Sequence, residues 1–297
     1  MREPIEYVVD IGDVELCVYE WPGNGDPIML LHATGFHSRC WNEVVLGLPD
    51  QHVYAVDIHF HGRSSDNGQI DWSLFARDIC TLIKRLNLRE VIGVGHSIGG
   101  HLITRAAATL PDHFKQLVLL DPVIMSAERG EQSKRNTTGL VAADHPVARR
   151  KNNWRDADEM FDRFAEREPF KYWKREVLRD YCDYALLPAD EAGLRQLACN
   201  PINEASFYMN SVNHFDILGI LGDVHVPTSV LRAPPGDAPE MNFSASPTWP
   251  ELATAMPIAR DVYLADMDHF IPMRSPELVV TYINEALADR WQHASLT

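Results

Sequence analysis

The chain has 297 residues, 45% of them hydrophobic and 23% charged, which is the make-up of a globular protein with a sizeable core and excludes a disordered or fibrous one. Its formal net charge of −15 speaks against nucleic acid and anionic membranes as partners, because their phosphates need a basic surface. Five cysteines, an odd number with no C-x-x-C pair, indicate neither a disulfide framework nor a zinc site. No apolar run approaches the ~18 residues of a membrane span, and no signal peptide is visible after Met1. The expectation is a cytoplasmic protein, in which the N-x-[ST] sequons at Asn136 and Asn242 are chance matches.

The first half alternates short β-rich runs with amphipathic helices. Residues 5–10 and 14–21 read as a hairpin turning at Gly12-Asp13. Residues 27–32 (PIMLLH) and 52–57 (HVYAVD) are apolar runs of the kind buried on both faces of a sheet. Residues 71–88 read as a helix with Asp71 as its N-cap. A strand over 90–95 (EVIGVG), a helix over 97–110 and a strand over 116–121 (QLVLLD) follow. That alternation predicts a parallel sheet with helical crossovers. Over residues 122–224 the character changes to charged, helix-like sequence carrying Trp154, Phe161, Phe164, Phe170, Tyr172, Trp173, Tyr181 and Tyr184. This stretch reads as a helical insertion. Strands resume at 227–233 and 261–265, separated by a long loop over 234–250, and a last helix spans 275–291 with Pro276 in its first turn.

The strongest local signal is Gly95-His96-Ser97-Ile98-Gly99. A G-x-S-x-G motif between a strand and a helix marks a serine nucleophile on a tight turn, where side chains two residues away would collide. The helix that starts there aims free N–H groups at a developing oxyanion. The base that such a serine needs is placed at His269, after the last strand, because open α/β sheets build their sites at the C-terminal ends of strands. A carboxylate must hold the imidazole. Asp237, after the strand at 227–233, is favoured, and Asp121, at the end of the strand at 116–121, is the alternative. The oxyanion donors are assigned to the N–H groups of Ile98 and of Thr34, the latter in the loop His32-Ala33-Thr34-Gly35-Phe36-His37. Asp57 reads as tying down its own loop. His59 and His61 share a strand face but lack a third ligand, so no metal is expected, and no cofactor motif is present.

These segments, together with Asp57-Ile58-His59-Phe60-His61-Gly62-Arg63-Ser64 and Ser275-Pro276-Glu277, resemble the α/β-hydrolase family, in its esterase, C–C hydrolase and perhydrolase group. The resemblance implies a mostly parallel sheet flanked by helices, with residues 1–121 and 225–297 as the core and 122–224 as a cap over the site. It also implies the order serine, acid, histidine, in keeping with Ser97, Asp237 and His269. Two positions depart from the family pattern: Ala33 and Asp268 stand where glycines are usual. The reading that follows is a carboxylesterase acting on a small-molecule ester. Cleavage of a carbon–carbon bond in a dienoic keto acid, or lactonase or perhydrolase chemistry, is the alternative. Outside enzymes, a ligand-binding protein on the same fold is the rival. A homodimer is left open.

Overall fold

The computed structural model describes residues 2–236 and 242–289. Strands β1 (Ile5–Asp10) and β2 (Glu15–Trp21) form the expected antiparallel hairpin. Strand β3 (Asn24–Leu31) begins ahead of its apolar run and is followed by the short helix α1 (Asn42–Leu46) and strand β4 (Gln51–Val56). Helix α2 (Trp72–Arg85) opens on Asp71, whose carboxylate accepts the N–H groups of Ser73 and Leu74. It ends earlier than its periodicity suggests, because Asn87 turns into the left-handed region at φ 52°. Then come β5 (Val91–His96), α3 (Ile98–Thr109) and β6 (Phe114–Leu120).

Between β6 and the next strand of the sheet lie α4 (Ala127–Thr137), a two-residue strand β7 (Asn153–Trp154), α5 (Ala157–Phe164), α6 (Arg175–Tyr184), β8 (Arg195–Gln196) and α7 (Pro201–Asn210). Strands β7 and β8 pair only with each other among the described residues. The chain re-enters the main sheet with β9 (Thr228–Arg232) and β10 (Ala259–Tyr263), and closes with α8 (Ile271–Arg274) and α9 (Pro276–Leu287). The helix expected over 275–291 is α9, which starts at Pro276, and the short α8 precedes it as a separate turn. Proline at 276 pushes Ser275 out of the helical region, to φ −143° and ψ 70°. Residues 290 and 291 lie outside the described residues.

The main sheet has eight strands in the order β1-β2-β4-β3-β5-β6-β9-β10. All pairs from β4 onward are parallel, and the two pairs made by β2 are antiparallel. Alternation along the strands feeds two layers. Leu16, Val18, Met29 and Leu31 pack toward α2 and α3, and Cys17, Tyr19, Leu30 and Ile92 pack toward α1 and α9. Every residue of β5 is buried, as its unbroken apolar run requires. Several aromatics of the 122–224 stretch form a third cluster. Trp154, Trp173 and Tyr181 pack with Phe161, Phe164 and Phe170, and the cluster reaches Phe270 and Met273 next to the sheet's C-terminal edge. No helix among the described residues is long and apolar enough to cross a membrane.

Candidate active site

The turn from β5 into α3 is as tight as its glycines allow. A Cβ on Gly95 would lie 2.4 Å from the Gly99 carbonyl carbon, and one on Gly99 would lie 2.2 Å from the Leu31 carbonyl oxygen. Ser97 itself takes φ 58° and ψ −118°, a strained backbone for a residue with a side chain. The turn is held from behind, because the Ser97 N–H donates to the Leu120 carbonyl and the Ser97 carbonyl accepts from Val123.

His269 stands between β10 and α8. Its Nε2 accepts from the Ser97 hydroxyl at 3.0 Å, and its Nδ1 donates to Asp121 Oδ2 at 2.7 Å. Asp121 is fully buried and immediately follows β6, with φ 47°. Its other oxygen, Oδ1, accepts from the Ala233 N–H at 3.1 Å, the Ser246 hydroxyl at 2.5 Å and the Thr248 hydroxyl at 3.3 Å. The same loop holds the histidine, since the His269 N–H donates to the Ser244 carbonyl. On the other side, His96 Nε2 donates to the His269 carbonyl at 2.7 Å. Burial pushes the His96 imidazole well below its ordinary range, with His269 beside it adding to the effect, so His96 is a neutral donor.

Of the two carboxylates weighed from sequence, Asp121 meets His269, and Asp237 lies outside the described residues. Both follow C-terminal strand ends, so the choice depended on which side chain reaches the imidazole. Asp268, which replaces a glycine, accepts the Phe270 N–H and pairs with Arg274 at 3.2 Å, so it serves the turn after the histidine. Ser246, Thr248 and His96 are the residues sequence reasoning passed over. Ser246 and Thr248 sit in a Pro/Ser-rich loop with no local motif, and His96 carried only the general signal of lying inside the serine turn.

The loop after β3 is pinned by its histidines. His32 Nδ1 donates to the Ala33 carbonyl and its Nε2 accepts from the Ile58 N–H. His61 Nε2 accepts the Gly35 N–H, and His37 donates to the Tyr181 carbonyl. Burial lowers all three, His37 to about 3 and His61 to about 4, so they act as neutral struts. The carbonyl of Ala33 also takes the Phe36 N–H, closing a turn in which alanine is accommodated. The N–H groups of Thr34 and Ile98 have no acceptor among the described residues. Asp57 ties its own loop, accepting from the N–H groups of Ser38 and Arg63. His59 donates to the Asn67 carbonyl, and no group of three metal-ligating side chains occurs among the described residues.

Ser97, His269 and Thr34 open into one cavity of about 620 Å³. None of the insertion aromatics singled out in the sequence lines it. Six of them (Trp154, Phe161, Phe164, Phe170, Trp173 and Tyr181) pack in the third core cluster, Tyr172 is exposed, and the Trp, Tyr and Phe rings at the cavity are Trp72, Tyr208 and Phe243.

A family model described as "Alpha/beta hydrolase family" matches residues 28–282. An esterase of Mycobacterium tuberculosis, Rv0045c, is 27% identical over 144 residues, which are 48% of this chain and 48% of that protein. The chain spans at most about half the length of the curated relatives it matches. Among solved structures, an E-2-(acetamidomethylene)succinate hydrolase superposes with a TM-score of 0.74 at 23% identity, covering 96% of this chain and 99% of that one. A thermophilic esterase from Thermogutta terrifontis gives 0.66 at 22%, covering 98% and 100%. Likeness at these identities speaks for the fold: an eight-stranded, mostly parallel sheet flanked by helices.

Proposed function

The chain belongs to the alpha/beta hydrolase family, and from that premise we propose that it hydrolyses carboxylic esters through Ser97, His269 and Asp121. The observation that carries this reading is the unbroken run of hydrogen bonds from the Ser97 hydroxyl through both ring nitrogens of His269 to a buried carboxylate, at the wall of a cavity. Esterases among the relatives support it.

In this mechanism His269 Nε2 takes the Ser97 proton as Oγ attacks the ester carbonyl. The oxyanion forms between the N–H groups of Thr34 and Ile98, two donors with no acceptor among the described residues. Pre-aimed donors of this kind stabilise the tetrahedral intermediate without reorganising. The imidazolium, steadied by Asp121, returns its proton to the leaving alcohol, and an acyl group stays on Oγ. A water, deprotonated by His269, then attacks the acyl carbon, and the proton goes back to Ser97. Asp121 can hold one tautomer throughout because its second oxygen is fixed by Ser246, Thr248 and the Ala233 N–H. Residues 122–224 form the cap that walls the cavity.

The test is hydrolysis of p-nitrophenyl esters of graded acyl length by the protein and by Ser97→Ala. Wild-type turnover that falls by about 10⁶ in the variant is expected. Turnover that survives the substitution removes Ser97 as the nucleophile. Inactive wild type across the panel removes the ester reading and favours carbon–carbon cleavage or simple binding.

A further inference from the structure

The cavity beside Ser97 has two unlike walls. Val123, Met209, Val212, Phe243 and Pro247 make one of them apolar. The other is one face of α4, where Ser126, Arg129, Gln132, Ser133 and Asn136 recur at helical spacing. Only Gly130 of α4 is buried, so in sequence the helix reads as a solvated surface element. Here its polar face instead looks into the space where substrate must lie. A plain alkanoyl ester would cover those groups and leave them without partners, at a cost.

From these walls we infer that the preferred ester carries a second, ionised carboxylate, bound by the Arg129 guanidinium. This deepens the proposed ester reading and rests on it. Arg129 is the one lysine or arginine lining the cavity among the described residues. A guanidinium has five donors in a planar fork. One of them, on Nη1, reaches the Ser246 carbonyl at 2.9 Å, and none meets a carboxylate among the described residues. The chain holds 42 acidic against 27 basic residues, so carboxylates are in ample supply. An arginine that meets no carboxylate among the described residues, on the wall of a cavity, is placed to receive one from a ligand, and the fork suits a planar carboxylate in two-point contact. Arg129 also lies in the first turn of α4, the helix end that favours an anion. Glu128 lines the same cavity and is not paired with Arg129. It opposes an incoming anion and supplies a second, opposite handle on the charge.

The contact between Arg129 and Ser246 links the specificity wall to the acid, because the Ser246 hydroxyl donates to Asp121. The experiment therefore compares substrates within each variant. The probes are mono-p-nitrophenyl glutarate and its methyl-capped neutral counterpart, read by p-nitrophenol release. Wild type is expected to favour the carboxylate-bearing ester in kcat/KM. Arg129→Gln should lower that preference between about 10- and 100-fold, the worth of a charge-assisted contact. Arg129→Lys should keep part of it, and Glu128→Gln should raise it. Equal losses on both esters, or a wild-type preference for the neutral one, would overturn the inference. A second arm separates it from the ester reading itself. Glutarate is titrated calorimetrically into Ser97→Ala protein with and without Arg129→Gln. Binding that depends on Arg129 is expected even if neither ester turns over. Absence of binding, or binding indifferent to the substitution, overturns the inference while leaving p-nitrophenyl ester hydrolysis untouched.

Discussion

Asp121 sits where one strand ends and the chain turns sharply, and its carboxylate accepts four hydrogen bonds. Asparagine there would keep the shape but present an amide to His269, favouring the tautomer with its proton on Nε2, which cannot accept from Ser97. Asp121→Asn should therefore lower kcat by about 10⁴, while Asp237→Asn remains within a few-fold of wild type. The measurement is steady-state turnover of a p-nitrophenyl ester, with circular dichroism to show that both variants fold. The reverse pattern would return the acid to Asp237. Ser97 and His269 were legible in sequence because each is announced by its own neighbours, a glycine-framed turn after a buried strand in one case and a strand end before a helix in the other. The acid was not, because β6 and β9 both end in the same neighbourhood with an aspartate near by. What distinguishes Asp121 is contact with Ala233, Ser246 and Thr248, more than a hundred positions away in the chain. No local pattern encodes such contacts.

Elements matter here through what they clamp. The buried Glu204 pairs with the partly exposed Arg150, which also donates to the Tyr181 hydroxyl at 3.0 Å. They join the chain before β7, helix α6 and helix α7. The Glu204 carboxylate presses on the loop after β3, so that a Cβ at Gly35 would come within 2.5 Å of its Oε1. Gly35 has φ +80° and neighbours Thr34, so α7 helps fix the loop that supplies the oxyanion donor. Burial already raises the Glu204 carboxyl, with Arg150 working against that. Arg150→Met strands the carboxylate in the interior and should cost about 3 kcal/mol of stability, because a buried charge without its partner is the expensive case. Arg150→Met with Glu204→Gln should recover part of the loss. Urea unfolding of the three proteins decides it, and a single variant as stable as wild type would show that the pair is not a clamp. The strands and the amphipathic helices could be read from periodicity, since each buries one face or both. The ion pair could not, because arginine in a charged stretch looks like a solvated surface. Likewise the insertion's aromatics, spaced as in a helix, carry no mark in sequence of whether they face core or cavity.

At the scale of the whole molecule, the site is built on a scaffold of neutral histidines, and this ties stability to pH. Burial lowers His37 and His101 to about 3 and His61 to about 4, and moves His32 and His96 well down. In the unfolded chain each histidine titrates near 6.5. Below that pH the unfolded state binds protons that the folded state refuses. The stability these groups contribute is thus whole above pH 6.5 and is lost as pH falls toward their folded values, at up to about 1.4 kcal/mol per pH unit for each. Buried carboxyls act in the opposite sense. Asp57 and Glu204 are raised by burial, and Asp180 is raised to about 6, so they take up protons in the folded state as pH falls. The histidines outnumber them, so the balance is a loss. Between pH 6.5 and pH 5 the unfolding free energy should drop by about 3 kcal/mol, measured by urea titration at constant ionic strength. The acid side of any activity profile would then mix catalytic titration with unfolding. A stability that is flat or rising over that interval would mean that these imidazoles are protonated in the folded protein. The hydrogen bonds that His32 and His61 accept from the Ile58 and Gly35 N–H groups could then not persist, because an imidazolium has no lone pair to offer.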